Sequence, residues 1–189
     1  MRGSLLLAGL LLLGGCSHIA YFPPAALPAQ IESAPFVVNG RISVDHQGER
    51  HSSGLYWTHK PDSDEVLLVN PFGQAVARVY RDDKYATLDE GGKRYMDIDA
   101  ESLMDQVLGW QLPLEDLHHW VLGRANGGSP AQIERGKDGR ISVLHQDGWE
   151  VRYLAYADDT PQSMPARLQL SHEDLQVKLL IDAWNWEVR

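Results

Sequence analysis

From Phe36 to the C-terminus, apolar and polar residues alternate with a period of two, and that rhythm dictates strands with one buried face. Phe36, Val38, Ile42 and Val44 alternate with Asn39, Arg41 and Ser43. The same rhythm returns in Leu55 and Trp57, and in Trp149, Val151 and Tyr153 around Glu150 and Arg152. It returns again in Val177, Leu179 and Ile181, with Lys178 and Asp182 as polar partners. Turn residues separate the runs: Asp82-Asp83, Gly91-Gly92, Asp138-Gly139 and Asp147-Gly148. Tight turns join antiparallel neighbours, and roughly eleven such strands favour a curled sheet or an incomplete barrel.

Two helical patterns interrupt the strands. Asp99 and Glu101 precede Leu103, Met104, Val107 and Leu108, and Gly109 follows, which places acid at a helix start and glycine at its end. Pro113 then opens a second helix, with Leu114, Leu117, Trp120 and Val121 on one face and Gly123 as its stop. Each helix has an apolar stripe to cover, and the nearest partner is the concave face of the sheet. The expected fold is therefore mostly β with α: a curled sheet or incomplete antiparallel barrel lidded by short helices, an arrangement that can enclose an apolar cavity or pack solid.

The chain of 189 residues suits one domain with a substantial core. Its net charge of −9 and lack of any Lys/Arg cluster exclude a nucleic-acid surface. Cys16 is the single cysteine, so no internal disulfide can form. Catalytic patterns are missing too. There is no Gly-x-Ser-x-Gly elbow, and His172-Glu173 is followed by Gln176 where a zinc helix needs a second histidine. Gly136-Lys137 lacks the glycine and hydroxyl of a phosphate loop, and the adjacent His118 and His119 point to different sides of a helix, as solvated or helix-end residues. We expect no enzyme, no metal and no cofactor.

The N-terminus carries a different pattern. Arg2 precedes the apolar run Leu5–Leu13, which at nine residues is too short for the ~20-residue helix that spans a bilayer. It fits the apolar segment of a secretory signal instead. Leu13-Gly14-Gly15-Cys16 resembles the lipobox of bacterial lipoproteins, in which the cysteine thiol accepts diacylglycerol. The expected layout is a signal peptide over 1–15, a lipidated Cys16 with a tether over 16–35, and the barrel domain over 36–189. Pro23, Pro24, Pro28 and Pro35 make the tether semi-rigid. Ser17 stands where an Asp would imply inner-membrane retention, so the resemblance points to the outer membrane.

Several segments, in order, resemble the LolB family of outer-membrane lipoprotein receptors. They are Phe36–Val44, Ser53-Gly54 with Trp57, Asn70-Pro71-Phe72-Gly73, Leu112-Pro113-Leu114 with Leu117, Trp120 and Gly123, Gly148-Trp149 with Val151 and Tyr153, and the stretch from Pro165 to Trp184. The resemblance implies an eleven-stranded open barrel, a monomer, whose cavity accepts the acyl chains of lipoprotein cargo from the periplasmic carrier LolA. The cargo is then released into the lipid of the outer membrane. Acyl chains offer nothing to hydrogen-bond, so their site is apolar. Candidate lining residues are Trp57, Leu68, Leu108, Trp120, Trp149 and Trp184.

Phe72 stands apart, because Asn-Pro-Phe-Gly is a turn and turn tips normally carry polar side chains. By resemblance it is the membrane-insertion residue, in a place where the family usually has leucine. The competing expectation is a structural or assembly lipoprotein, with a packed barrel that binds a protein partner.

Overall fold

The computed structural model describes residues 34–186. The expected signal segment, Cys16 and the expected tether up to residue 33 lie outside the described residues.

The strands are β1 (Phe36–His46), β2 (Glu49–Lys60), β3 (Ser63–Val69), β4 (Ala75–Asp82), β5 (Ala86–Glu90) and β6 (Lys93–Asp97). Helices α1 (Ala100–Leu108) and α2 (Leu114–Val121) follow, and then β7 (Ala131–Arg135), β8 (Ile141–Gln146), β9 (Trp149–Tyr156), β10 (Pro165–His172) and β11 (Leu175–Asn185). All of them lie within residues 36–185, so a chain that begins at Ser17 retains every described strand.

The eleven strands form one antiparallel sheet in the order β6-β5-β4-β3-β2-β1-β11-β10-β9-β8-β7. The first strand sits at its centre, paired with both β2 and the last strand, β11. The free edges are therefore β6 and β7, and the helical segment is the connection between them. Because that connection runs from one open edge to the other, α1 and α2 must cross one face of the sheet. The chain order itself makes the lid.

Curvature has an identifiable cause at the centre. The β1–β11 register shifts between Asn39 and Gly40. A Cβ on Gly40 would lie 2.1 Å from the Leu180 carbonyl oxygen, so only glycine lets the two backbones approach at this bulge. Bulges bend and twist a strand, as a curling sheet requires. Inward-phase residues of β1, β8, β9, β10 and β11 then converge, and Phe36, Val38, Leu144, Val151, Leu168, Leu170 and Val177 are all buried.

Both helices end as their sequences dictate. The Asp99 carboxylate caps α1 by accepting from the Glu101 amide at 2.9 Å, and the Ser102 hydroxyl donates to it at 3.0 Å. Gly109 closes α1 in the left-handed conformation. For α2, Pro113 is the N-cap, with Glu115 and Asp116 in the first turn and the two histidines in the last. The acidic first turn complements the helix dipole at its N-terminal end.

Candidate functional site

Helix α2 is bolted to the far half of the sheet. Trp120 is 0% exposed, and its indole N–H donates to Gln146 Oε1 on β8 at 3.0 Å. The Tyr153 hydroxyl, from β9, donates to the Trp120 carbonyl at 2.8 Å. Gln146 also donates through Nε2 to the Asn126 carbonyl at 2.7 Å and to Ser129 Oγ at 2.8 Å, which fixes the segment that leaves α2. The Trp149 ring stands 5.9 Å from that of Trp120. Burial raises the pKa of the Tyr153 phenol, so it serves as a neutral donor.

A second, polar attachment joins α2 to the near half. Asp64 on β3 is 1% exposed, yet its carboxylate is fully engaged. It accepts from the Trp57 indole N–H at 2.8 Å and from Arg81 Nε and Nη2 at 2.8 and 2.7 Å, and pairs with His59 Nδ1 at 2.8 Å. Burial works to raise the Asp64 pKa. The hydrogen bond and charge of His59, with Arg81 and Trp57, outweigh it and hold the carboxyl below its ordinary value. Arg81 then reaches onto α2, where Nη1 donates to Glu115 Oε1 at 3.1 Å.

The His59 ring stacks on that of His118 of α2, with centroids 4.4 Å apart. The expectation that His118 and His119 diverge as solvated residues fails here, because His118 is drawn under the helix and its ring lies 3.9 Å from that of His119. Burial, with His119 and His59 beside it, pushes the His118 pKa down to about 3. Parity could have found this cluster: His59 is in phase with Trp57, and Asp64 with Val66 and Leu68, all on the inward side.

The six expected lining residues divide between two settings. Trp57 (2% exposed), Trp120 and Trp149 are buried and pack on the protein's own side chains, so at this end the lidded face is closed and not hollow. The reason is the aromatic mass converging there: Phe36 meets Trp57 edge-on at 5.3 Å, and Trp184 at 5.3 Å from its other side. Leu68 and Leu108 are half-buried, as is Trp184, which stacks on Trp186. With Val66, Tyr95, Val107 and Trp110 they form a fringe of partly covered apolar side chains against the core, most of it on β3, β6 and the C-terminal end of α1. This fringe is one accessible margin of the lidded face; Leu122, Ala125, Ala131 and Tyr156 are also partly buried, near the end of α2. Helix α1 packs over β4, β5 and β6.

Phe72 is the most exposed large hydrophobic side chain among the described residues, at 90%, with Ile98 next at 86%. Its loop is held rigidly. Asn70 Oδ1 accepts from the amides of Phe72 at 2.9 Å and Gln74 at 3.0 Å. The Gly73 amide donates to the Asn70 carbonyl at 2.9 Å. Pro71 fixes the turn's first corner and Gly73 takes a φ of 78°, so the tip presents Phe72 outward without strain.

The arrangement of one curled antiparallel sheet, open between β6 and β7 and crossed on one face by two short helices, defines a class of fold. It is shared with the crystal structure of a LolA superfamily protein from Nitrosomonas europaea, at a TM-score of 0.53 and 11% identity over 85% of this chain and 90% of that one. The sequence narrows the class. The family model for outer membrane lipoprotein LolB matches residues 34–184. The outer-membrane lipoprotein LolB of Chromobacterium violaceum is 38% identical over 97% of this chain and 99% of its own length. That of Nitrosomonas europaea is 36% identical over 88% of this chain and 80% of its own. The chain belongs to the LolB family. Among the described residues no helix is long and apolar enough to cross a membrane.

Proposed function

We propose that the protein is a lipid-anchored receptor at the periplasmic face of the outer membrane, which takes acylated lipoproteins from a LolA-type carrier and inserts them into the bilayer. Cys16, in its lipobox-like setting, is the anchor. The acyl chains lie on the lidded face, admitted at the half-buried fringe of Leu68 and Leu108 under α1. They displace that helix toward Trp57, Trp120 and Trp149, while α2 stays attached. Trp184 flanks the aromatic end of the same face. No covalent bond is made or broken.

The observation that carries this reading is the coexistence of two apolar features with different geometry: a covered face with a loose margin, and a rigid exposed Phe72. A packed scaffold protein needs neither. Each acyl methylene moved from water to an apolar setting contributes about 0.8 kcal/mol, so a chain can be handed on without an energy source if each acceptor holds it more tightly than the last.

Transfer of an acylated lipoprotein from its carrier to the chain beginning at Ser17, followed by addition of liposomes, tests this. The wild-type protein should form a cargo complex and then empty into liposomes. Phe72→Glu should form the same complex, with stability within about 0.5 kcal/mol of wild type because the site is exposed, and should fail to empty. A protein that never acquires cargo would contradict the receptor reading, and normal delivery by the variant would remove Phe72 from it.

A further inference from the structure

The sheet face turned away from the helices holds a groove of about 540 Å³. Pro71, from the loop that carries Phe72, forms one wall, and Gly54, Leu154 and Leu180 contribute an apolar floor. The strand register explains why these residues meet. Gly54 of β2 lies opposite Arg41 of β1, Arg41 opposite Leu180 of β11, and Leu180 opposite Arg167 of β10. These residues form one row on the outer side of four adjacent strands. Gly54 lets the Val69 side chain close over it from β3, since a Cβ there would lie 2.7 Å from Val69 Cγ2.

The cations around this floor are not equivalent. Arg41 is neutralised by Asp182 at 3.0 Å. Arg167 and Lys178 also line the groove, and neither has an acidic partner among the described residues. Gln169 lies opposite Lys178, and Leu180 opposite Arg167, so the two cations are diagonal neighbours on one face. Such positions are about 7–8 Å apart, a spacing that two long side chains can close around one anion. The chain carries a net charge of −9, so two unmatched cations beside an apolar floor are a local reversal of its character. An occupant with a negative head and an apolar stem complements both.

We infer that this groove docks an anionic phospholipid of the bilayer surface that Phe72 enters. Its phosphate lies between Arg167 and Lys178, and its first methylenes run along Leu154, Leu180 and Pro71. Phe72 then supplies insertion, and the groove supplies orientation and a preference for charged lipid. The inference deepens the reading of the Phe72 loop and rests on it.

The test is co-flotation of the chain beginning at Ser17 with liposomes of phosphatidylethanolamine and phosphatidylcholine, with or without phosphatidylglycerol. Phosphatidylglycerol should tighten wild-type binding by about fivefold per engaged cation, an increment that salt screens. Arg167→Gln/Lys178→Gln should lose the increment while keeping wild-type binding to uncharged liposomes and its melting temperature, both positions being exposed. Phe72→Glu should bind both kinds of liposome more weakly. No increment in wild type, or an increment that persists in the double variant, overturns the groove. Wild-type binding by Phe72→Glu overturns the loop reading instead, and is distinguishable because it leaves the double variant's defect in place.

Discussion

The two helices of the lid are held down in opposite ways. Helix α2 is fastened on both sides: Trp120 hydrogen-bonds Gln146, Tyr153 bonds its backbone, and Arg81 bridges Asp64 to Glu115. Helix α1 has its side-chain hydrogen bonds in its own N-cap, through Asp99, and rests on the sheet through Ala100, Leu103 and Met104. Contacts that are only apolar are non-directional and can be exchanged for another apolar body, such as an acyl chain, at little net cost. Directional bonds to buried partners cannot. One helix is anchored by directional bonds and the other by apolar packing.

The largest effect that would break this comparison is at the packed end. Trp120→Ala should lower the unfolding free energy by about 3–5 kcal/mol, because the site cannot collapse around the lost ring and Gln146 loses a partner. Leu108→Ala, half-buried on α1, should cost well under that in the same urea titration. Equal losses at the two sites would remove the contrast between the helices.

Arg81→Met comes next. It leaves the Asp64 carboxylate buried with only Trp57 and His59, and breaking a buried pair from one side costs about 3 kcal/mol or more. Asp64→Asn combined with Arg81→Met should recover part of that loss, since no unmatched charge remains. No recovery would show that the cluster acts through packing.

Acid sharpens the same point more gently. The His118 pKa is depressed to about 3 in the folded chain, whereas an unfolded histidine titrates near 6.5. The unfolded chain binds the extra proton between those values, so stability is complete above the unfolded pKa and falls as pH drops toward the folded one. The slope is below the one-proton limit of about 1.4 kcal/mol per pH unit. Asp64, with its folded pKa also depressed, adds a loss confined to the acid range, as pH falls through its folded value below the ordinary 3.8. Melting curves of His118→Gln from pH 7 to 4 should be flatter than those of wild type. An unchanged profile would place the titration elsewhere.

Much of this was legible in the residues. The two-residue rhythm gives the strands and their inward faces, and Asp99, Gly109 and Pro113 give the helix ends within a residue. The openness of the interior was not legible, because Trp57 and Leu68 have the same apolar character and parity. Whether a side chain ends up buried or half-covered depends on which helix arrives above it, a tertiary matter. The Asp64 cluster was legible in principle, as charged and imidazole groups on inward-phase positions. Its connection to α2 through Arg81 was not, since that joins residues 34 apart in sequence. The outer groove depends on register across four strands, which alternation alone does not set.

The central claim is that acyl chains enter beneath α1 on the lidded face. A photo-crosslinking residue placed at Leu108, and separately at Tyr56 on the outer face, tests it during transfer of a labelled acylated lipoprotein from its carrier. Capture of the cargo's acyl chains at position 108 and not at 56 is the predicted result. Capture at 56 alone, or at neither position while transfer proceeds, would contradict it.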